Sequence, residues 1–421
     1  MKNTILALAL SFSSYAMACP NGTELKVVGD MKLCALRGNY VSTELRLTAD
    51  HQYLIEDGVF IGNDNAEKST LRIEAGTTLR GNPASFIAVM RGSQIIAEGT
   101  AQKPITFTSL KSSMRKRGEW GGLVINGNAP INRCRAGSTV CEAISEGIKI
   151  REVKFGGNQP QDNSGVLKFV RVEFAGYPIA PDNELNGITF NGVGSGTVVE
   201  NIQVHMNSDD GVEFFGGTVN AKYVVLTENE DDSLDWDMGW QGKIQFLLVD
   251  QGVDAVDNGI EADNLQSPMN AMPRSRPTIS NMTLIGSPKS GYGMLLRRGT
   301  GAELSNSIIT GFAKGCVDID DNETFVNATT ASGILMSQMI LDCKKPFEAE
   351  AGDLFSTETF LTAQPSVKVT SPRLFGWIPA AGSPALVGGV TPEDFFFEPV
   401  DFIGAFGSED WSAGWIVKAR Q

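Results

Sequence analysis

Between residues 187 and 320 the chain repeats a short strand motif in which side chains alternate between two faces. The repeats are Gly187-Ile-Thr-Phe, Gly211-Val-Glu-Phe, Ser233-Leu-Asp-Trp, Gly259-Ile-Glu-Ala, Gly293-Met-Leu-Leu and Cys316-Val-Asp-Ile. Successive side chains of a strand point to opposite sides, so the third residue of each repeat faces away from the second and fourth. These third residues form the outward column, which consists of Thr189, Glu213, Asp235, Glu261, Leu295 and Asp318. They are 24, 22, 26, 34 and 23 residues apart, which predicts an all-β solenoid with one coil per repeat.

The charge of the chain restricts its binding partners. The 421 residues contain 35 Lys and Arg against 49 Asp and Glu, which gives a net charge of −14. Because no basic stripe is present to neutralise phosphates, we expect neither nucleic acid nor an anionic membrane surface as a partner. The same charge would repel a polyanionic polysaccharide unless divalent cations lay between the two.

The first 18 residues have the pattern of a secretory signal peptide. Lys2 supplies the positive start, an apolar run follows over residues 5–12, and Ala16-Met17-Ala18 is a small-residue cleavage site. The apolar run is too short to span a bilayer, and no other stretch approaches that length, so we expect no transmembrane segment. Cleavage would leave Cys19 at the mature N-terminus, where it carries a lipid anchor or pairs with Cys34.

Six cysteines fall in three local pairs, which favours disulfides in an oxidising compartment. The pairs are Cys19 with Cys34, Cys134 with Cys141, and Cys316 with Cys343. A zinc site is not expected, because the chain has no CxxC motif and only two histidines.

The solenoid is expected to carry caps and two long excursions. We place an N-terminal cap at 19–45, the coils at 46–390 and a C-terminal cap at 391–421. Excursions near 127–165 and 264–277 interrupt the coils, and such loops often decorate a binding surface. Asn201, Asn281 and Asn306 occupy equivalent positions in a second set of strands and are interpreted as stacked scaffold residues.

Three segments and the C-terminus resemble a family of exported bacterial right-handed parallel β-helix proteins. The segments are 95–108 (IIAEGTAQKPITFT), 120–132 (WGGLVINGNAPIN) and 293–300 (GMLLRRGT), and the ending is 403–406 (IGAF) with 410–415 (DWSAGW). The resemblance runs from about residue 45 to the C-terminus. It implies the pectin-lyase-like fold and a location beyond the inner membrane, in the periplasm, at the outer cell surface or outside the cell. It implies no particular activity.

A second outward column and the turns add further acids to this face. Two residues beyond each member of the outward column lie Asn191, Phe215, Asp237, Asp263, Arg297 and Asp320, and the pairs Asp209-Asp210 and Asp231-Asp232 precede their strands. Neighbouring coils are about 4.8 Å apart, so stacked carboxylates repel one another. Three things could relieve the repulsion. They are divalent cations, of which Ca²⁺ suits hard carboxylate oxygens, the cations of Arg297, Arg298, Arg274 or Arg276, and protonation of some acids.

The acidic face therefore supports several functions. The predicted Ca²⁺ ligands are Glu213, Asp235, Asp237, Glu261 and Asp263. A binding role for a polysaccharide or cell-surface component would use Asp209, Asp210, Glu213, Trp240, Tyr292 and Arg298, with the two aromatic rings as platforms beside the acids. A polysaccharide lyase or glycoside hydrolase would use Asp235, Asp237, Glu261, Asp263 and Arg297. A structural envelope protein without catalytic activity is the third alternative. We expect the protein to be a monomer.

Overall fold

The computed structural model describes residues 18–178, 185–330, 333–364 and 366–419. Apart from Ala18, the predicted signal peptide lies outside them. The N-terminal strands are β1 (Glu24–Val28), β2 (Met31–Tyr40), β3 (Glu44–Leu47), β4 (Gln52–Ile61), β5 (Thr70–Ile73), β6 (Thr78–Gly81), β7 (Phe86–Val89), β8 (Gln94–Glu98) and β9 (Ile105–Ser109). The next strands are β10 (Leu123–Asn126), β11 (Ala143–Ile144), β12 (Lys154–Phe155), β13 (Gly165–Glu173), β14 (Ile188–Asn191), β15 (Val198–His205), β16 (Val212–Phe215), β17 (Asn220–Thr227), β18 (Leu234–Asp237) and β19 (Lys243–Asp250).

The C-terminal half adds strands and two short helices. These are β20 (Ile260–Ala262), β21 (Thr278–Ile285), β22 (Tyr292–Leu296), β23 (Ala302–Thr310), β24 (Gly315–Ile319), α1 (Asn322–Ala328), β25 (Ile334–Asp342), α2 (Thr357–Thr362), β26 (Val367–Val369), β27 (Leu374–Phe375), β28 (Ile378–Pro379) and a 3₁₀ turn at Pro384–Leu386. Among the described residues, no helix is both long and apolar enough to cross a membrane.

Parallel strands from successive coils form the three walls of a right-handed parallel β-helix, as predicted. The first sheet joins β7, β10, β14, β16, β18, β20, β22 and β24. The second sheet joins β3, β5, β8 and the first halves of β13, β15, β17, β19, β21, β23 and β25. The third sheet joins β6, β9 and the second halves of the same long strands.

A left-handed backbone residue turns each long strand from the second sheet into the third. These corner residues have φ between 48° and 62° and are Phe169, Asn201, Tyr223, Phe246, Asn281, Asn306 and Gln338. Asparagine tolerates this conformation better than most residues. The three predicted scaffold asparagines thus lie at one corner, and Asn281 and Asn306 also donate side-chain hydrogen bonds to backbone carbonyls of the C-terminal segment.

The inward side chains of the three sheets form one continuous core along the helix axis. Phe190 and Phe214 stack with ring centroids 5.1 Å apart, and Trp240 stacks on Phe214 at 4.0 Å. Glycine begins most of the first-sheet repeats because the third sheet approaches closely there. A Cβ at Gly187 would collide with Val204, and one at Gly293 would collide with Ile309.

Both excursions pack on the outer side of the first sheet. Ile148 and Val153, from residues 127–165, cover Val124 on strand β10. The same excursion meets the loop at 264–277 over two outward residues, Phe215 and Met238. The exposed part of the first sheet is therefore bounded by the two excursions.

The two ends of the chain are attached in different ways. Strand β1 pairs antiparallel with β2, and Cys19 is bonded to Cys34. Residues 374–416 lie along the outer face of the third sheet, where Trp377, Phe406 and Trp415 cover the outward side chains of β17 and β19. The other two predicted disulfides, Cys134–Cys141 and Cys316–Cys343, are also present.

Candidate functional site

The outward column has the register that the sequence spacing predicts. In the parallel pairs of the first sheet, Thr189 lies beside Glu213, Glu213 beside Asp235, and Asp235 beside Glu261. The column then continues through Leu295 to Asp318. Glu213, Asp235 and Glu261 therefore lie next to one another in three successive coils.

A second ladder of polar side chains lies in the turns before these strands. The Asp210 carboxylate accepts a hydrogen bond from the backbone N–H of Asp232 at 3.0 Å, and Asp232 accepts one from Asn258 at 2.8 Å. Asn258 continues the pattern by accepting from the N–H of Tyr292 at 2.8 Å. These bonds fix Asp210 and Asp232 at the strand starts, with their carboxylates beside the outward column.

The two ladders bring five carboxylates together, which we call the central acidic cluster: Asp210, Glu213, Asp232, Asp235 and Glu261. One oxygen from each of Asp210, Glu213 and Asp235 lies within 4.8 Å of the other two, and the same holds for Asp232, Asp235 and Glu261. Asp235 belongs to both trios, and its Oδ1 is buried without a hydrogen-bond partner. Two carboxylates at 4.8 Å repel by about 3.5 kcal/mol at an effective dielectric of ~20. Carboxylate trios at this separation could hold a metal ion.

Burial and mutual repulsion shift the ionisation of the cluster. Four carboxyls have a pKa well above the ordinary value, because burial disfavours the ionised form and neighbouring acids repel it. They are Asp210, Glu213, Asp232 and Asp235. Burial also raises the pKa of Glu261 to about 7, although the positive charge of Arg297 opposes the shift.

Two arginines close one end of the cluster. Arg297 forms ion pairs with Glu261 and with Asp263, whose Oδ1 lies 3.0 Å from Nε. Arg298 Nη1 lies 2.7 Å from the other oxygen of Asp263. Both Asp263 oxygens are thus occupied, and among the described residues this predicted metal ligand lies in no trio of carboxylates. Burial lowers the pKa of Arg297, but the negative charges of Asp263 and Glu261 together raise it above its ordinary value, so the guanidinium stays charged.

Asp237 is also set apart from the trios. Its Oδ1 accepts a hydrogen bond from the N–H of Met238 at 2.6 Å, and burial raises its pKa to about 7. Asp209 is beside the cluster, in a trio with Asp210 and Asp231. Further along the column, burial and neighbouring acids raise the pKa of Asp318 to about 7.

The two predicted aromatic platforms lie in different environments. Trp240 is fully buried, so its ring belongs to the core and offers no face to a ligand; the surface role inferred from sequence is corrected. Inside the core, Trp240 Nε1 donates a hydrogen bond to the carbonyl of Val219 at 3.2 Å. Tyr292 is partly exposed at the end of the acidic face, and the ammonium group of Lys314 lies 5.3 Å from its ring centroid.

Asp232 belongs to the central acidic cluster but is not among the site residues predicted from the sequence. A signal for it is present, because Asp210, Asp232 and Asn258 are spaced by 22 and 26 residues. Those steps equal the steps from Glu213 to Asp235 and from Asp235 to Glu261 on the strands. Equal steps imply that the turn residues stack in the same register as the outward column.

Comparison with known proteins gives one match. A family model described as a pectate-lyase-like β-helix domain matches residues 38–370. Neither the curated proteins nor the solved structures contain a match to the chain.

Proposed function

The chain belongs to the pectate-lyase-like β-helix domain family, and from this membership we propose that it binds an anionic polysaccharide through divalent cations held by the central acidic cluster. The family relates the chain to a carbohydrate-related function. We further propose that the protein is exported, which the three disulfides and the N-terminal signal pattern support.

The observation that carries the proposal is the sharing of Asp235 between two carboxylate trios. Hard oxygen ligands at this spacing suit Ca²⁺, which accepts six to eight oxygens in flexible geometry. A bound cation would remove the repulsion among the cluster and would leave coordination positions for carboxylates of a ligand. It would thereby allow an acidic protein to bind an acidic glycan.

Arg297 favours binding over β-elimination. A lyase that used this arginine as its base would need a neutral guanidine, whereas Glu261 and Asp263 hold it in its charged form. The contacts of Arg297 with Glu261 and Asp263 therefore support a role as an ion-pair partner over a role as a proton acceptor.

A glycoside hydrolase is the second candidate, and one observation favours it. Asp237 and Glu261 both have a pKa of about 7, so a fraction of each carries a proton at neutral pH. A carboxylic acid that remains protonated at neutral pH is what a general acid requires.

Calorimetric titration of Ca²⁺ into the metal-free mature protein tests the first part of the proposal. Binding of acidic and neutral polysaccharides is then measured with and without Ca²⁺. We expect Ca²⁺ to bind and acidic glycans to bind only in its presence. New reducing ends would favour the hydrolase, and unsaturated products would favour a lyase. The absence of any Ca²⁺ binding would refute the proposed function.

A further inference from the structure

The connection between strands β9 and β10 begins with a short basic segment at residues 111–117. Its sequence is KSSMRKR, which places four cations within seven residues of a chain whose net charge is −14. Residues 111–116 are all exposed. Met114, in the middle of the segment, is 87% exposed and has a φ of 50°. The segment therefore projects from the body of the β-helix as a loop tip.

The backbone of this segment is hydrogen-bonded only at its two ends. The N–H of Lys111 donates to the Ser109 hydroxyl at 3.0 Å, and the N–H of Gly118 donates to the carbonyl of Ala175 at 2.8 Å. Within the described ranges, no backbone N–H or C=O of residues 112–117 takes part in a hydrogen bond. Exposed loop tips without such bonds are the preferred sites of proteolytic nicking, because a protease can bind them without breaking native structure.

The segment borders a cavity and does not pack on the core. The cavity has a volume of about 810 Å³. Met114 and Lys116 line one side of it, and Val28 and Met31, at the turn between β1 and β2, line another. Because the segment is exposed and lies beside open space, its displacement into the active site of a protease would expose little new apolar surface.

The four basic side chains of the segment are held to different degrees. Ion pairs join Lys111 to Glu119 at 2.6 Å, Arg117 to Asp254 at 2.8 Å, and Arg115 to Glu173 at 3.6 Å. Arg115 thus has the longest of the three pairs, and its guanidinium also lies 4.6 Å from the ring centroid of Phe174. Lys116 forms no ion pair with any residue that the structure describes. Lys116 and Arg115 are therefore the basic side chains most available to the specificity pocket of a protease.

A break in this segment would leave its two pieces attached to each other. Strands β7, β8 and β9, before the break, pair with β10 and β13, after it. The buried Arg91 also donates to Glu142 Oε1 at 2.5 Å and to the carbonyl of Gly156 at 2.9 Å. Each of the six cysteines is bonded to a partner on its own side of the break. Non-covalent contacts would therefore hold the pieces together.

We propose that residues 111–117 are a cleavage site for an endopeptidase with specificity for Lys or Arg, and that the product is a two-chain protein held together by the β-helix. Hydrolysis breaks the peptide bond after Arg115 or Lys116. Water supplies a hydroxyl to the new carboxyl group and a proton to the amine of the following residue. The central acidic cluster takes no part in this step, so the inference is independent of the proposed function.

Limited digestion of the folded mature protein with trypsin tests the inference, with the cut bond identified by intact mass and N-terminal sequencing. We expect the first cut after Arg115 or Lys116. The product should give two fragments on a denaturing gel without reductant, and one species of unchanged size in size-exclusion chromatography. The double variant Arg115→Gln with Lys116→Gln should be cut at least ~10-fold more slowly, because the specificity pocket of trypsin loses the charge that it binds.

Arg135→Gln is the matched control, because it removes an exposed arginine from a different loop, the one closed by Cys134 and Cys141. This variant should be cut at the wild-type rate, and both variants should keep the wild-type melting temperature. A first cut of the wild type at any other bond would overturn the inference, and so would an equal rate for the double variant. It is also wrong if the folded protein resists trypsin while the urea-unfolded chain is digested. Separation of the fragments in size-exclusion chromatography would overturn the two-chain product.

Discussion

Replacement of Asp237 by asparagine should make the protein more stable at alkaline pH. Asp237 ends strand β18, and its Oδ1 accepts a hydrogen bond from the N–H of Met238 at 2.6 Å. Burial raises the pKa of this carboxyl from 3.8 to about 7. Asparagine has nearly the same shape and keeps the accepting oxygen, but it cannot ionise.

The pKa values set the sign and the size of the effect. Between pH ~4 and ~7 the folded protein keeps a proton on Asp237 that the unfolded chain has lost, so stability falls as pH rises through this window. Each pH unit corresponds to ~1.4 kcal/mol, and the interval from 3.8 to about 7 therefore corresponds to a loss of about 4 kcal/mol. This is an upper limit, since the side chain is only partly buried. Asp237→Asn should escape this loss above pH 7 and match the wild type near pH 3.5.

Urea unfolding at several pH values between 3.5 and 8.5, with chelator present, measures the difference between the two proteins. The free energy of unfolding of Asp237→Asn relative to wild type should rise with pH and reach a plateau above about pH 7. Asp401→Asn, at an exposed position, is the control and should follow the wild-type profile. A difference that is constant with pH, or that favours the wild type at pH 8, would refute the reasoning.

Three further predictions concern the cluster, its arginine and the core. Ca²⁺ should raise the melting temperature of the wild type but not of Asp235→Asn, because Asp235 belongs to both trios; equal shifts in the two proteins would contradict this. Arg297→Ala should lower the unfolding free energy by about 1–3 kcal/mol in urea titrations, because it removes one charged hydrogen-bond partner of the buried Asp263, which keeps its ion pair with Arg298. An unchanged denaturation midpoint would contradict the stabilising role of Arg297. Trp240→Ala should cost about 3–5 kcal/mol by removing a ring stacked on Phe214, whereas loss of glycan binding by a fully folded variant would place this residue at the ligand.

The fold could be predicted from the sequence because its main signal is local and repeated. Alternation along each strand fixes which side chains point inward, and the interval between repeats fixes which residues become neighbours. The pairing of Glu213 with Asp235, and of Asp235 with Glu261, follows from those two facts alone. A slip by one residue would turn the apolar side chains of every repeat outward, so the register is strongly determined.

The remaining features of the site depend on contacts between residues distant in sequence. Trp240 follows strand β18 after a glycine turn, and only the space above Phe214 determines that its ring enters the core. The excursion at 127–165 packs on Phe215 and Met238, which belong to later coils. Periodicity carries no information on such packing, so the sequence predicts the two excursions without predicting which residues they cover.

The repeat that forms the fold also causes the repulsion among carboxylates at the central acidic cluster. Stacking one residue type per coil places like charges side by side. The free-energy cost of their repulsion depends on the charge of the next residue in the column. At one end Arg297 and Arg298 neutralise Asp263, and the acids there need no further cation. No salt bridge to Glu213 or Asp235 occurs among the described residues, and the pKa of both carboxyls is raised by burial and by their acidic neighbours. A cation bound there would therefore contribute more free energy than anywhere else on the face, so the middle of the cluster is where Ca²⁺ should bind first.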